Sequence, residues 1–127
     1  MRSQKTGERK VIKSYQDLEV YQEGYKLAIK LYKEVNSLPL EAFELVKQTK
    51  RSAMSIPLNI AEGYGKKESV PEFKRYLRMA IGSANEIEVL LEMLKDLGYF
   101  DQATYLSYIE PYQVLGKRLN VLLQKWS

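Results

Sequence analysis

After residue 14, apolar side chains recur at spacings of three and four along almost the whole chain, the period of helices buried on one side. The first such segment runs from about Gln16 to Ser37, with Leu18, Tyr21, Tyr25, Ala28, Tyr32 and Val35 as its apolar face. Gly24 inside it weakens the helix or lets a neighbour come close. Leu38-Pro39 ends it, because the residue before a proline is pushed out of the helical region. A second helix is expected from Leu40 to about Ala61, with the face Ala42, Leu45, Val46, Thr49, Ala53, Ile56 and Ile60. Pro57 lies inside that pattern and predicts a kink or break, since it lacks the backbone donor and crowds the carbonyl of Ala53. Gly63 and Gly65 then stop the helix.

The third segment opens with Ser69-Val70-Pro71-Glu72, which reads as a capping box with Ser69 as the cap and Glu72 reaching back. Its face Phe73, Tyr76/Leu77, Ala80, Ala84, Ile87, Leu90/Leu91, Leu94 and Leu97 holds a near-heptad spacing up to a stop at Gly98. The fourth opens at Asp101 and shows Leu106, Ile109, Tyr112, Leu115, Leu119, Leu122/Leu123 and Trp126, interrupted at Pro111. No strand alternation and no repeat is visible. Four amphipathic segments with short connections predict an all-α fold, an antiparallel up-down four-helix bundle. The expected organisation is a flexible basic arm over residues 1–14 and one bundle domain over residues 15–127.

Composition changes this picture mainly by exclusion. With 127 residues the chain is one domain, long enough to bury a core without disulfides or metals. Cysteine and histidine are both absent, which removes the thiolate nucleophile, the commonest general base and the usual zinc or copper ligands. No cofactor is expected. No apolar run approaches the length of a membrane span, and the polar N-terminus is not a secretory signal, so the expected location is cytoplasmic. The net charge of +4 sits in residues 1–14, where Arg2, Lys5, Arg9, Lys10 and Lys13 face Glu8 alone. The neutral remainder is polarised. Residues 47–78 carry eight basic and three acidic groups, and residues 79–116 one basic and six acidic. Such separation provides a positive region for polyanions or two complementary surfaces for self-association.

Three constellations carry candidate chemistry. The first is the run from Arg51 to Gly63, where Arg51, Ser55, Asn59 and Glu62 share one side of the helix beside the proline. A polar ladder there satisfies backbone groups that the proline frees, or it touches a ligand. The second is Gly82-Ser83-Ala84-Asn85-Glu86, small residues that let a helix approach, with Glu86 expected to pair with a base such as Arg51. The third is basic. Lys74, Arg75 and Arg78 lie within about 100° of helical arc. Lys66 and Lys67 precede them, and Lys47 and Lys50 group on the second helix. These are a solvated face or, with the basic arm, a salt-dependent and sequence-tolerant polyanion surface. An exposed Tyr76 could stack on a base, although the apolar stripe assigns it to the core. No phosphate-binding loop and no nucleophile–base pair occurs, so no catalytic residue is assigned and an enzyme is not expected.

Taken together, the run Arg51-Ser52-Ala53-Met54-Ser55-Ile56-Pro57-Leu58-Asn59-Ile60-Ala61-Glu62-Gly63 resembles the signature of the four-helix-bundle proteins encoded in 23S rRNA intervening sequences. Tyr76 to Glu86 resembles their second signature, Leu97-Gly98-Tyr99 their helix 3 ending, and Tyr15 to Val20 their helix 1 opening. Ala84-Asn85 and the long basic arm depart mildly from the pattern. The resemblance implies a ring, typically a homopentamer, and a relation to the accessory variability determinant of diversity-generating retroelements, a pentameric bundle that binds a reverse transcriptase and nucleic acid. Carried over, Arg51, Ser55, Asn59, Glu62 and Glu86 would be structural or interfacial, and the cations at 66, 67, 74, 75 and 78 would face nucleic acid. The expected function is a non-catalytic, oligomeric RNA- or DNA-binding scaffold or accessory protein. The alternative is a module that docks a partner such as a reverse transcriptase.

Overall fold

A computed structural model of the chain describes residues 11–127. The expected arm therefore lies, for residues 1–10, outside the described residues. The chain enters through a short 3-10 turn, Tyr15–Asp17, closed by a capping box. The Ser14 hydroxyl accepts from the Gln16 backbone, and the Asp17 carboxylate accepts from the backbones of Lys13 and Ser14. Four helices follow: α1 (Glu19–Asn36), α2 (Phe43–Tyr64, after a 3-10 turn at Leu40–Ala42), α3 (Val70–Asp96) and α4 (Gln102–Lys125). α1 packs on α2 and α4, and α3 packs on α2 and α4, which closes the four into a bundle. Among the described residues there is no strand, and no helix is long and apolar enough to cross a membrane.

The core face of α1 differs from the expected tyrosine stripe. The buried row is Val20, Gly24, Ala28, Leu31 and Val35, while Tyr25 is 50% exposed and Tyr32 is also at the surface. The reason is close approach. A Cβ on Gly24 would stand 3.1 Å from the Ile56 side chain, so the small residue marks the line of contact with α2. The larger tyrosines are displaced to its flank, where their hydroxyls stay wet.

α2 runs through Pro57 without a break, so of the expected kink or break the break does not occur. The proline ring is buried beside Gly24, and the Asn59 side-chain amide donates to the Ser55 carbonyl at 2.8 Å, one turn back beside the proline. The packed ring holds the helix across the defect, while the Asn59 bond falls on a carbonyl two residues beyond that of Ala53, the one the proline leaves without its donor. Its outer end stops as expected near Gly65, and Gly63 has a packing role. A Cβ there would fall 2.5 Å from that of Tyr76, so α2 and α3 are in close contact at this point.

α3 starts at Ser69, whose hydroxyl accepts from the Glu72 backbone. Glu72 does not complete the box, because its carboxylate is taken by Arg75 at 2.9 Å. The helix ends at Gly98, whose φ of 84° is left-handed and strain-free only for glycine. The backbone N–H of Tyr99 reaches the Leu94 carbonyl and that of Gly98 the Lys95 carbonyl, a Schellman ending. Leu97 falls past the last turn and is exposed, contrary to the expected stripe. In α4, Asp101 caps the Thr104 backbone at 2.8 Å, and the helix continues through Pro111. Tyr108, Ile109, Tyr112, Leu115 and Leu119 are its core, and Leu106 faces out.

Candidate nucleic-acid interface

The polar residues of α2 and α3 form a seam between the two helices. Ser55 and Ser83 hydroxyls lie 2.6 Å apart, Ser52 donates to Glu86 at 3.1 Å, and Asn59 donates to the Ser55 hydroxyl at 3.0 Å. Near Gly63 the Tyr76 hydroxyl donates to Glu62 at 3.2 Å. The seam thus gathers Ser55, Asn59, Glu62 and Glu86 of the ladder. Arg51 joins it only through Gln48, whose amide donates to Ser52 at 3.5 Å. Its guanidinium donates to Gln48, and Glu86 takes a serine instead of the expected base. Ser52 and Ser83, which sequence reasoning left out, complete the seam. Their only signal was their place in the small-residue runs, because a buried serine is indistinguishable from a packing residue until its partner is known.

Beyond the seam the chain turns through Gly65–Ser69, and the cations begin. The Lys66 ammonium donates to the Tyr76 hydroxyl at 3.1 Å, and this bond holds the lysine above its usual range. Lys66 and Arg75 lie over the Tyr76 ring, and Lys67 lies over Tyr64. Arg75 also holds the Glu72 carboxyl below its ordinary range through their hydrogen bond. Lys67 and Arg78 point to solvent, and Lys74 is half-buried. Tyr76 and Tyr64 are only 7% and 8% exposed, so neither offers a free face to a base. Their role is to seat cations by ring attraction.

Tertiary packing adds a cation that the sequence places far away. The Trp126 ring meets Phe73 edge-on at 4.6 Å, which brings the last turn of α4, with Lys125, to the end of the bundle where α3 starts. Ile12 shares a groove with Lys125 and Trp126, so the entering chain also leaves from this end. The basic arm sequence Arg2, Lys5, Arg9 and Lys10 precedes that point. Lys47 and Lys50 are not brought to this cluster. They lie at the other end of α2, roughly 28 Å away at 1.5 Å per residue. There Lys50 donates to Asn36 at 2.6 Å and covers Tyr32, and Lys47 lies over Phe43.

The family model described as 23S rRNA-intervening sequence protein matches residues 16–121. A solved structure is similar with a TM-score of 0.75 and 29% identity, over 84% of this chain and 99% of that one. It is a protein of unknown function from the S23 ribosomal protein family of Bacteroides thetaiotaomicron VPI-5482. No curated protein matches.

Proposed function

This chain belongs to the 23S rRNA-intervening sequence protein family, and from that premise we propose that it is a non-catalytic, oligomeric scaffold that binds RNA or DNA. The surface is the end of the bundle where the α2–α3 turn, the start of α3 and the end of α4 meet. The observation that carries this reading is the convergence there of Lys66, Lys67, Lys74, Arg75 and Arg78 with the last turn of α4, where Lys125 precedes Trp126. Binding of this kind works by releasing counterions from phosphates, so it is tolerant of sequence and steep in salt. The buried Tyr64 and Tyr76 support backbone contact over base stacking. A ring, pentameric as in the proteins it resembles, would present this end several times to one polyanion and make weak contacts act together.

The test is retention of a structured RNA, and of a DNA duplex of the same length, as salt is raised. Five phosphate contacts per protomer give a slope of about −4 to −5 in log affinity against log salt. The triple change Lys74→Glu, Arg75→Glu, Arg78→Glu flattens that slope by about 3. Undiminished retention by the triple variant sinks the assignment of this surface. The exposed apolar side chains of Leu58, Val89 and Leu97 favour a second reading, docking of a protein such as a reverse transcriptase of a diversity-generating retroelement. A template repeat and reverse transcriptase beside the gene would favour that role, and a position inside an rRNA gene the intervening-sequence role.

A further inference from the structure

Where α1 turns into α2 the surface holds an open apolar pocket of about 390 Å³, lined by Val35, Leu38, Pro39, Leu40, Phe43 and Val46. Val35 belongs to the core, whereas Leu40 is 87% exposed and Phe43 54%. The turn itself sets this exposure. Pro39 holds an extended backbone before the 3-10 turn Leu40–Ala42, and that turn buries Ala42 and leaves Leu40 outside. Large apolar side chains left bare beside an apolar recess mark a contact surface.

Two cations stand on the same pocket, Lys47 and Lys50, and among the described residues no carboxylate lines it. Each ammonium is seated on a ring, Lys50 at 4.3 Å from the centre of Tyr32 and Lys47 at 5.9 Å from that of Phe43. Among the described residues neither lysine forms an ion pair. The nearby carboxylates lie elsewhere. Glu44 lines the neighbouring groove between α2 and α3, which Lys47 also borders, and Glu34 accepts from Tyr108. We infer that this pocket docks an acidic peptide segment of a partner protein, with Leu, Phe or Met side chains in the recess and carboxylates on Lys47 and Lys50. Charge complementarity selects this occupant. A nucleic acid would satisfy the lysines but has nothing to set against Leu40 and the aliphatic walls. A neutral apolar segment would draw two ammonium groups out of water with no partner, which is costly. A second copy offering the same face would set lysines against lysines. The site shares no residue with the polyanion surface, or with Leu58, Val89 and Leu97, and so stands apart from both readings above.

Selection of a displayed library of random short peptides on the immobilised full chain tests this, with Lys47→Glu, Lys50→Glu as the counter-target. Peptides that prefer the wild type are expected to carry Asp or Glu beside Leu, Phe or Met. The best of them, synthesised with a fluorescent label, should lose about tenfold or more in affinity on Leu40→Ser, through faster dissociation. Lys47→Gln with Lys50→Gln should act mainly on association, slowing it and flattening its salt dependence. These positions are exposed or half-buried, so the variants keep the bundle, as circular dichroism would read. No preference for the wild type, preferred peptides without carboxylates, or binding unmoved by Leu40→Ser overturns the inference. Displacement of the labelled peptide by a structured RNA would make this end a nucleic-acid site and overturn it too. A wild-type oligomer that falls to the protomer mass in Lys47→Glu, Lys50→Glu would make the occupant a second copy, with the same consequence.

Discussion

Single residues show where the bundle tolerates change and where it does not. Gly63 and Gly82 are both helical glycines, yet their surroundings differ completely. A Cβ on Gly63 would fall 2.5 Å from that of Tyr76, an atom fixed to its backbone, whereas a Cβ on Gly82 meets nothing within 4 Å. Gly63→Ala is expected to cost about 1–3 kcal/mol through overpacking. Gly82→Ala is expected to stabilise by about 0.5–1 kcal/mol by lowering the entropy of the unfolded chain. Urea denaturation of the two variants measures both. The core tyrosines of α4 make a second pair. Tyr108 donates to the Lys30 carbonyl and to Glu34, while the buried Tyr112 hydroxyl has no hydrogen-bond partner among the described residues. Tyr108→Phe should cost about 1 kcal/mol, and Tyr112→Phe should stay within about 1 kcal/mol of the wild type. Burial raises both hydroxyls above the ordinary tyrosine value. Their contribution is thus complete below about pH 10 and is lost as pH rises beyond it, because the unfolded chain ionises first. Tyr112→Phe should make that alkaline loss shallower, as thermal melts between pH 9 and 11 would read.

At the scale of the elements, the pair α2–α3 is held by a hydrogen-bonded seam laid beside an apolar one. The Ser55–Ser83 bond at 2.6 Å joins the two helices near the middle of α3. Removing either hydroxyl leaves the other half-buried without this partner, and removing both leaves none stranded. The double-mutant cycle of Ser55→Ala and Ser83→Ala is therefore expected to show a coupling of about 0.5–1.5 kcal/mol. Ser55→Ala should be the costlier single change, since that hydroxyl also receives Asn59. Additivity in the cycle would show that the seam is incidental to packing. Such a seam also fixes the register of two helices whose apolar stripes alone would allow sliding by a turn.

For the whole molecule, the arrangement of charge matters more than its total. The cations of the α2–α3 turn, α3 and the end of α4 share one end of the bundle, and Lys47 and Lys50 sit at the other. If the arm end is the polyanion surface, Lys47→Glu with Lys50→Glu should weaken RNA retention far less than the triple change at Lys74, Arg75 and Arg78. The salt slope should then shift by less than about 1. Equal losses from the two ends would mean that net charge, and not a located surface, governs binding. The same measurement on Lys125→Glu checks the part of the surface that only folding assembled.

The features that the sequence by itself determined are those decided within a few residues. Four helices, the Ser69 and Asp101 caps and the glycine stop at Gly98 were all legible, because each depends on local hydrogen bonds and on a periodicity of three and four. The polar ladder and the basic residues of α3 were legible as faces for the same reason. The tertiary structure decided which face meets which. Tyrosine counts as apolar in a periodic pattern, yet its hydroxyl suits a wet edge, so the core row of α1 became visible only where Gly24 touches Ile56. Pro57 read as a kink or break because the packing that buries its ring beside Gly24 depends on folding. Glu86 found Ser52 instead of Arg51, and Trp126 came to lie against Phe73, because antiparallel closure sets distances that no spacing along the chain contains.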